Sequence, residues 1–418
     1  MIPVGSFMNI SNIINKVKSG IYRDFLLSLM ASAVTTIVAQ LITNPFLARM
    51  CSSEEYGMIL TIMGIGNVVT LAFGNSLNNV RLIMNNDYEE HNEEGDFKPL
   101  FILLSVIGTI VFGGYLIWFG EKSIILLVSL CSFALFGILQ NYGEVAFRIK
   151  INYIKNLLLN ISIAGGNMVG LLVLYLSGKR SLWALAFAVG QIVGVVYIYR
   201  NSSIFKESFR FTSLIMRTLK KEGVLLFTTL CGNILVYLDR LILYPLLGGD
   251  AVSTYTVASF FGKSLAILMN PISGVLLSYY AQKSYGMNIR RFWKVNILTL
   301  GLSAAFIIFS LFASEWVTGL FYPSLIGQAK PYLLIANLAA VINVIGNLAQ
   351  PAILKFASTK WIAINQILYM VIYLGLGVVL SRANGLMGFS QAALASSTVR
   401  AFIFFGVGHV AIRRRGGD

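Results

Sequence analysis

Twelve apolar stretches of roughly twenty residues recur between Phe25 and His409, and they limit what this chain can fold into. A helix rises about 1.5 Å per residue, so each stretch can cross the roughly 30 Å hydrocarbon core of a bilayer. Backbone N–H and C=O groups find no partner in hydrocarbon, so a spanning segment must be a helix or a strand of a closed barrel. Barrel strands alternate apolar and polar residues over about ten positions, whereas these runs are longer and unbroken. Composition agrees: the 418 residues are 57% hydrophobic and 12% charged, against about 25% charged in a typical soluble domain. The sequence predicts an all-α polytopic membrane protein.

The expected spans are about 25–43, 56–80, 100–119, 123–142, 157–177 and 181–199, then 223–247, 251–279, 295–313, 328–350, 361–380 and 386–409. A polar segment separates the two sets of six. This gives an N-terminal lobe over 1–200, a cytoplasmic linker over 201–222 and a C-terminal lobe over 223–418. In the linker Phe205, Phe209, Met216 and Leu219 recur at helical spacing among basic residues. That pattern predicts an amphipathic helix lying in the membrane interface. Lys16, Lys18 and Arg23 precede the first apolar run, which carries no small-residue cleavage site and reads as a span rather than a signal peptide.

The 32 lysines and arginines fix the expected orientation. With the N-terminus inside, 23 fall in cytoplasmic segments, six fall outside (Arg49, Lys122, Lys179, Arg180, Lys330 and Arg382), and Arg240, Lys263 and Arg400 fall within spans. This is the positive-inside pattern, with both termini cytoplasmic. The net charge of +15 is explained by attraction to an anionic inner leaflet, with no need for a nucleic-acid partner. Cys51, Cys131 and Cys231 lie in separate segments without metal-ligand spacing, so no metal site and no disulfide framework is expected. His91 and His409 stand apart from any nucleophile, and no glycine-rich phosphate loop appears, which argues against an enzyme.

The stretch from Asn233 to Pro271, NILVYLDRLILYPLLGGDAVSTYTVASFFGKSLAILMNP, places Asp239, Arg240 and Lys263 inside apolar helices. Ionisable side chains at such depth are expensive and mark functional sites by default; a purely structural role in helix packing or snorkelling is the plainer alternative. The stretch also repeats an earlier one. TNPFLARMCSSEEYGMILTI and DRLILYPLLGGDAVSTYTVA align with Glu54-Glu55 beside Asp250-Ala251, an offset of 196 residues. A separation of six spans gives both copies one orientation, so the repeat is parallel, with a pseudo-twofold along the membrane normal.

These hairpins carry a family resemblance. FLARMCSSEEYGMILTIMGIGNVVTLAFGNSLNNVRLI resembles the opening hairpin of the Wzx-type flippases of O-antigen and other lipid-linked oligosaccharides, in the MATE/MOP (multidrug/oligosaccharidyl-lipid/polysaccharide) superfamily. YLDRLILYPLLGGDAVSTYTVA is similar to their second-half hairpin. The chain departs from them in span number, since fourteen are common there and twelve are expected here. The resemblance implies a MATE/MOP-like fold in the bacterial inner membrane. It implies export of an undecaprenyl-diphosphate-linked oligosaccharide to the periplasmic leaflet for lipopolysaccharide synthesis, alongside polysaccharide assembly proteins.

Such cargo needs cations for the diphosphate and amides or hydroxyls for the sugars. Arg240, Lys263 and Arg400 are the expected phosphate contacts, with Arg49 and Arg81 as further substrate-binding candidates. A guanidinium can hold phosphate oxygens in a fork, and lysine acts as a point charge. Asn75, Asn78, Asn343 and Asn347 are candidate sugar contacts, although interhelical hydrogen bonds explain such residues equally well. Asp239 and Glu144 are candidate sites for H+ or Na+ coupling, with no other cofactor expected. Two other readings stand beside this one: a multidrug exporter of the same superfamily, which the scarcity of deep acids disfavours, and a polysaccharide polymerase, which the short outward connections disfavour.

Overall fold

The computed structural model describes residues 20–93, 96–281, 288–356 and 359–415, and every regular element among them is helical. In chain order, α1 is Gly20–Ile37, which passes through a π-helical segment, Val38–Thr43, into α2, Asn44–Met50. The π segment ends two residues before Pro45, which has no N–H to continue the ladder, and the helix rearranges its hydrogen bonds there. Then follow α3 (Ser53–Glu90), α4 (Phe97–Trp118), α5 (Ile124–Gly143), α6 (Tyr153–Ser177) and α7 (Leu185–Asn201). The remainder is α8 (Ile215–Val236), α9 (Leu238–Ala258), α10 (Phe260–Ala281), α11 (Ile289–Phe321), α12 (Leu333–Phe356) and α13 (Thr359–Arg415).

Two of these join a pair of helices at a break, α9 at Gly248 (φ 80°) and α13 at Asn384–Gly385. The twelve stretches expected from sequence are mostly helical, but the seventh is interrupted at Tyr237 and the eighth at Ser259, and short 3-10 turns at Arg180–Leu182 and Lys330–Tyr332 lie at the sixth and tenth. Among the described residues nine helical stretches are long and apolar enough to cross a membrane, and α8 with α9, bent by 56°, meets the same standard as a pair. Lys16, Lys18 and Lys283 lie outside the described residues.

Contacts divide the chain into two compact units, one within Met1–Asn44 and Ile65–Ile234, the other within Pro45–Gly64 and Leu235–Asp418. These bounds differ from the lobes 1–200 and 223–418. The segment 45–64 packs with the second unit, and α8 belongs almost wholly to the first.

In the first unit α6 packs on α1 and α7, and α5 on α4 and α7. α6 and α7 meet backbone to backbone: a Cβ on Gly166 would lie 2.7 Å from the Cα of Gly190. Small residues permit such approach in lipid, where dispersion rather than water exclusion holds helices together. One core gathers Leu77, Met84, Phe97, Phe101, Tyr142 and Phe147, while Ile110, Ile117 and Leu176 are exposed. An apolar exterior around an apolar core suits a surface that faces lipid.

The same unit corrects the expectation for the linker. An amphipathic helix over 201–222 is not formed; a short turn at Ile204–Lys206 is followed by non-helical chain until α8 begins at Ile215. Phe205 packs against the core, whereas Phe209 and Met216 are exposed. The physical reason is a competing set of polar bonds from the acidic region 85–98, itself partly helical because α3 runs to Glu90. Buried Asp96 accepts from the Thr212 N–H (2.7 Å), the Thr212 hydroxyl and the Tyr88 hydroxyl (2.6 Å). Ser213 donates to Glu93 (3.0 Å). Asp87 pairs with Arg217 (3.3 Å) and Lys221 (3.7 Å). The linker is thus a strap tied down by acids.

In the second unit α12 packs against α10, α11 and α13, and α9 packs on α13. The start of α3 meets the helix that follows Gly248: a Cβ on Gly57 would lie 1.8 Å from the Gly249 carbonyl oxygen. The Ser53 and Ser253 hydroxyls are 2.6 Å apart. At the 196-residue offset, Ser53 corresponds to Gly249 and Gly57 to Ser253. The two contacts therefore exchange into each other, as contacts across a twofold axis do.

Candidate functional site

Asp239 is the second residue of α9, two residues after the break at Tyr237. Its Oδ1 accepts from the Arg240 N–H at 2.8 Å, and its Oδ2 accepts from Lys263 Nζ at 2.7 Å. Residues 239 and 240 project about 100° apart on a helix, so Arg240 points elsewhere. It donates to the Leu60 carbonyl of α3 at 2.9 Å and lies 5.4 Å from the Tyr237 ring. The ion pair is lopsided: the Lys263 side chain is 42% exposed and that of Asp239 only 9%. The acid is buried support, and the ammonium is the accessible end.

A seam of aromatic residues runs from this pair to Arg400. Lys263 Nζ sits 5.4 Å from the Tyr255 ring centroid, and Tyr255 meets Phe389 edge to face at 4.9 Å. Phe389 contacts Tyr373 at 5.6 Å, and Tyr373 contacts Tyr369 at 5.5 Å. The Arg400 guanidinium lies 4.9 Å from the Tyr369 ring. Its Nη1 donates to Asn343 Oδ1, its Nη2 donates to Asn347 Oδ1 at 2.9 Å, and Asn343 Nδ2 donates to the Tyr369 hydroxyl at 3.3 Å.

Electrostatically the seam is positive. Asp239 offsets Lys263, but no carboxylate among the described residues lies within 4.0 Å of Arg240 or Arg400. Arg400 Nε is buried without a partner. A guanidinium has five donors, and only two bonds to amide oxygens are formed here, so the group keeps capacity for an acceptor. Aromatic faces and amide dipoles reduce the cost of holding the cation without cancelling its charge. The seam therefore carries two cationic groups, Arg400 beside amide oxygens and the Lys263 ammonium, whose chemistry suits oxygen-rich or anionic partners.

The other residues singled out in the sequence lie elsewhere. Arg49, exposed at the end of α2, donates to the Leu320 carbonyl at 2.9 Å. Arg81 in the first unit grips Glu207 of the strap in a fork (3.1 and 2.8 Å) and covers the Phe97 ring at 4.3 Å. Glu144 caps the C-terminal end of α5 beside Arg148 and Asn156. Asn78 is already engaged, donating to the Asn141 carbonyl at 2.8 Å and accepting from Arg148 at 2.6 Å. Asn75 is half-buried and has no hydrogen-bond partner among the described residues.

Tyr255, Tyr369, Tyr373 and Phe389 were not singled out from sequence. The i, i+4 spacing of Tyr369 and Tyr373 puts them on one helix face and was the available signal. No metal-binding group of His, Cys, Asp and Glu occurs among the described residues.

No protein-family model matches the chain, and no curated protein matches it. Solved structures do. A multidrug resistance MATE family transporter of the MOP superfamily, in an inward-facing conformation, is 16% identical, with 93% of this chain and 95% of that one covered and a TM-score of 0.67. A MATE protein in a bent conformation is 17% identical over 94% and 95% of the two chains, with a TM-score of 0.63. The Vibrio cholerae MATE transporter VcmN, as a mutant, is 13% identical over 96% and 98%, with a TM-score of 0.64. At such identity the likeness concerns the path of the backbone, and it extends over nearly the whole of each chain. The protein has the all-helical, polytopic fold of the MATE transporters of the MOP superfamily.

Proposed function

We propose that this protein is a secondary transporter of the bacterial inner membrane. It moves an undecaprenyl-diphosphate-linked oligosaccharide from the cytoplasmic to the periplasmic leaflet by alternating access. The observation that carries this reading is the uncompensated positive charge of the second unit, with Arg240 and Arg400 each bound only to neutral acceptors. A half-buried cation without an anion keeps its charge, and a diphosphate headgroup supplies the missing charge. Lys263, Asn347 and the tyrosine hydroxyls of the seam suit a cargo rich in oxygen.

A multidrug exporter is the second reading, favoured by the cluster of aromatic rings of Tyr255, Phe389, Tyr373 and Tyr369, since aromatic rings attract organic cations. Deletion of the gene, followed by lipid extraction, separates the two. A lipid-linked repeat unit that accumulates on the cytoplasmic face supports the flippase. Normal lipids with heightened sensitivity to cationic drugs replace it with the exporter, and normal translocation with lost chain elongation replaces it with a polymerase.

A further inference from the structure

The first unit buries a carboxyl group that the transport reading does not use. Glu222, in α8, is 3% exposed. Its Oε1 lies 2.5 Å from the Ser76 hydroxyl of α3, and its Oε2 is buried without a partner.

The charged groups around it are all committed elsewhere. Lys221, its neighbour on α8, reaches Met84 Sδ at 2.9 Å and Asp87 at 3.7 Å. Arg217, one turn earlier, faces Asp87. On α3, Arg81 is held by Glu207. Arg148, beyond the end of α5, is bonded to Asn78 and Asn79, with Glu144 beside it. No lysine or arginine nitrogen among the described residues comes within 4.0 Å of Glu222.

Counting protons decides the state of the pair. The Ser76 oxygen has two acceptors within reach, the Phe73 carbonyl at 3.3 Å and Glu222 Oε1 at 2.5 Å. A hydroxyl has one proton to give. If it goes to Phe73, the short contact with Glu222 needs a proton from the carboxyl itself. An ionised Glu222 would instead leave one anionic oxygen bare in an apolar interior with no counter-ion, among the most expensive of buried states. A neutral acid donates from Oε1 to Ser76 and leaves only a carbonyl oxygen unbonded.

We propose that Glu222 is a proton-binding site of the first unit, with Ser76 as acceptor for the bound proton and Phe73 as the next link. The ligand is a proton drawn from water, so the exchange creates no other bond and involves no redox change. The site does not depend on the nature of the cargo. Asp239 is its contrast, since Lys263 holds that acid as an ion.

The test uses the full-length protein in lipid nanodiscs, with infrared spectroscopy of the protonated-carboxyl C=O stretch at neutral pH. The wild type is expected to show a band that Glu222→Gln removes. Ser76→Ala should retain the band and shift it to higher frequency, because the carboxyl loses its acceptor. If Glu222→Gln fails to fold, the Ser76→Ala shift decides alone. Absence of the wild-type band, or a band that neither substitution alters, overturns the proposal.

Discussion

Arg400 in the second unit, half-buried with its Nε enclosed, and Glu222 in the first, fully buried, are both charge-bearing groups without a counter-ion, and they differ in how they can respond. A carboxyl can shed its charge by taking a proton, and the Ser76–Phe73 contacts give that proton a place to go. A guanidinium cannot lose its proton in a protein. The second unit therefore surrounds Arg400 with amide oxygens and the rings of Tyr369 and Phe404, and the positive charge persists. One unit holds a group that can be neutralised, and the other holds a lasting attraction for anions.

The comparison is broken most strongly at Lys263. Lys263→Ala leaves Asp239 as a buried anion, so the second unit gains the problem that Glu222 poses in the first. Breaking a buried pair costs about 3 kcal/mol at the low end of its range, which applies because Lys263 is 42% exposed. Thermal unfolding in detergent should show this loss, and adding Asp239→Asn should recover most of it.

Arg81→Ala acts in the first unit by releasing Glu207 and the strap, at a cost of about 2 kcal/mol for charged hydrogen bonds. Limited proteolysis should then cut within 207–214 faster than it does in the wild type. If cleavage is unchanged, Asp96 and Thr212 hold the strap without the ion pair.

Arg400→Gln sharpens the contrast with the smallest structural effect. Removing an uncompensated charge while keeping amide donors for Asn343 and Asn347 should change stability by less than about 1 kcal/mol. Export of lipid-linked oligosaccharide should nevertheless fall at unchanged protein abundance. Normal export would remove Arg400 from the proposed anion site.

Much of the helical order was legible from sequence because the apolar runs leave a chain in lipid few alternatives to helix. Asp239, Arg240, Lys263 and Arg400 stood out for the same reason, as charges where charge is costly. The linker was misread because the spacing of Phe205, Phe209, Met216 and Leu219 is only a local signal. Asp96 and Glu93, more than a hundred residues away, compete for the backbone and hydroxyls of Thr212 and Ser213. Glu222 went unnoticed because it adjoins Lys220 and Lys221 in a segment that looks solvated.

Returning to Asn233–Pro271, the sequence by itself determined that ionisable groups sit in apolar helices and that the stretch repeats the hairpin around Glu54-Glu55. Only the tertiary structure decided their partners. Asp239 is held by Lys263 of α10, and Arg240 donates to the Leu60 carbonyl of α3. Packing of α12 on α13 supplies the two amide oxygens that bind Arg400. A sequence states where charge is expensive because that depends on local hydropathy. Which groups answer the charge depends on helices brought together from distant parts of the chain.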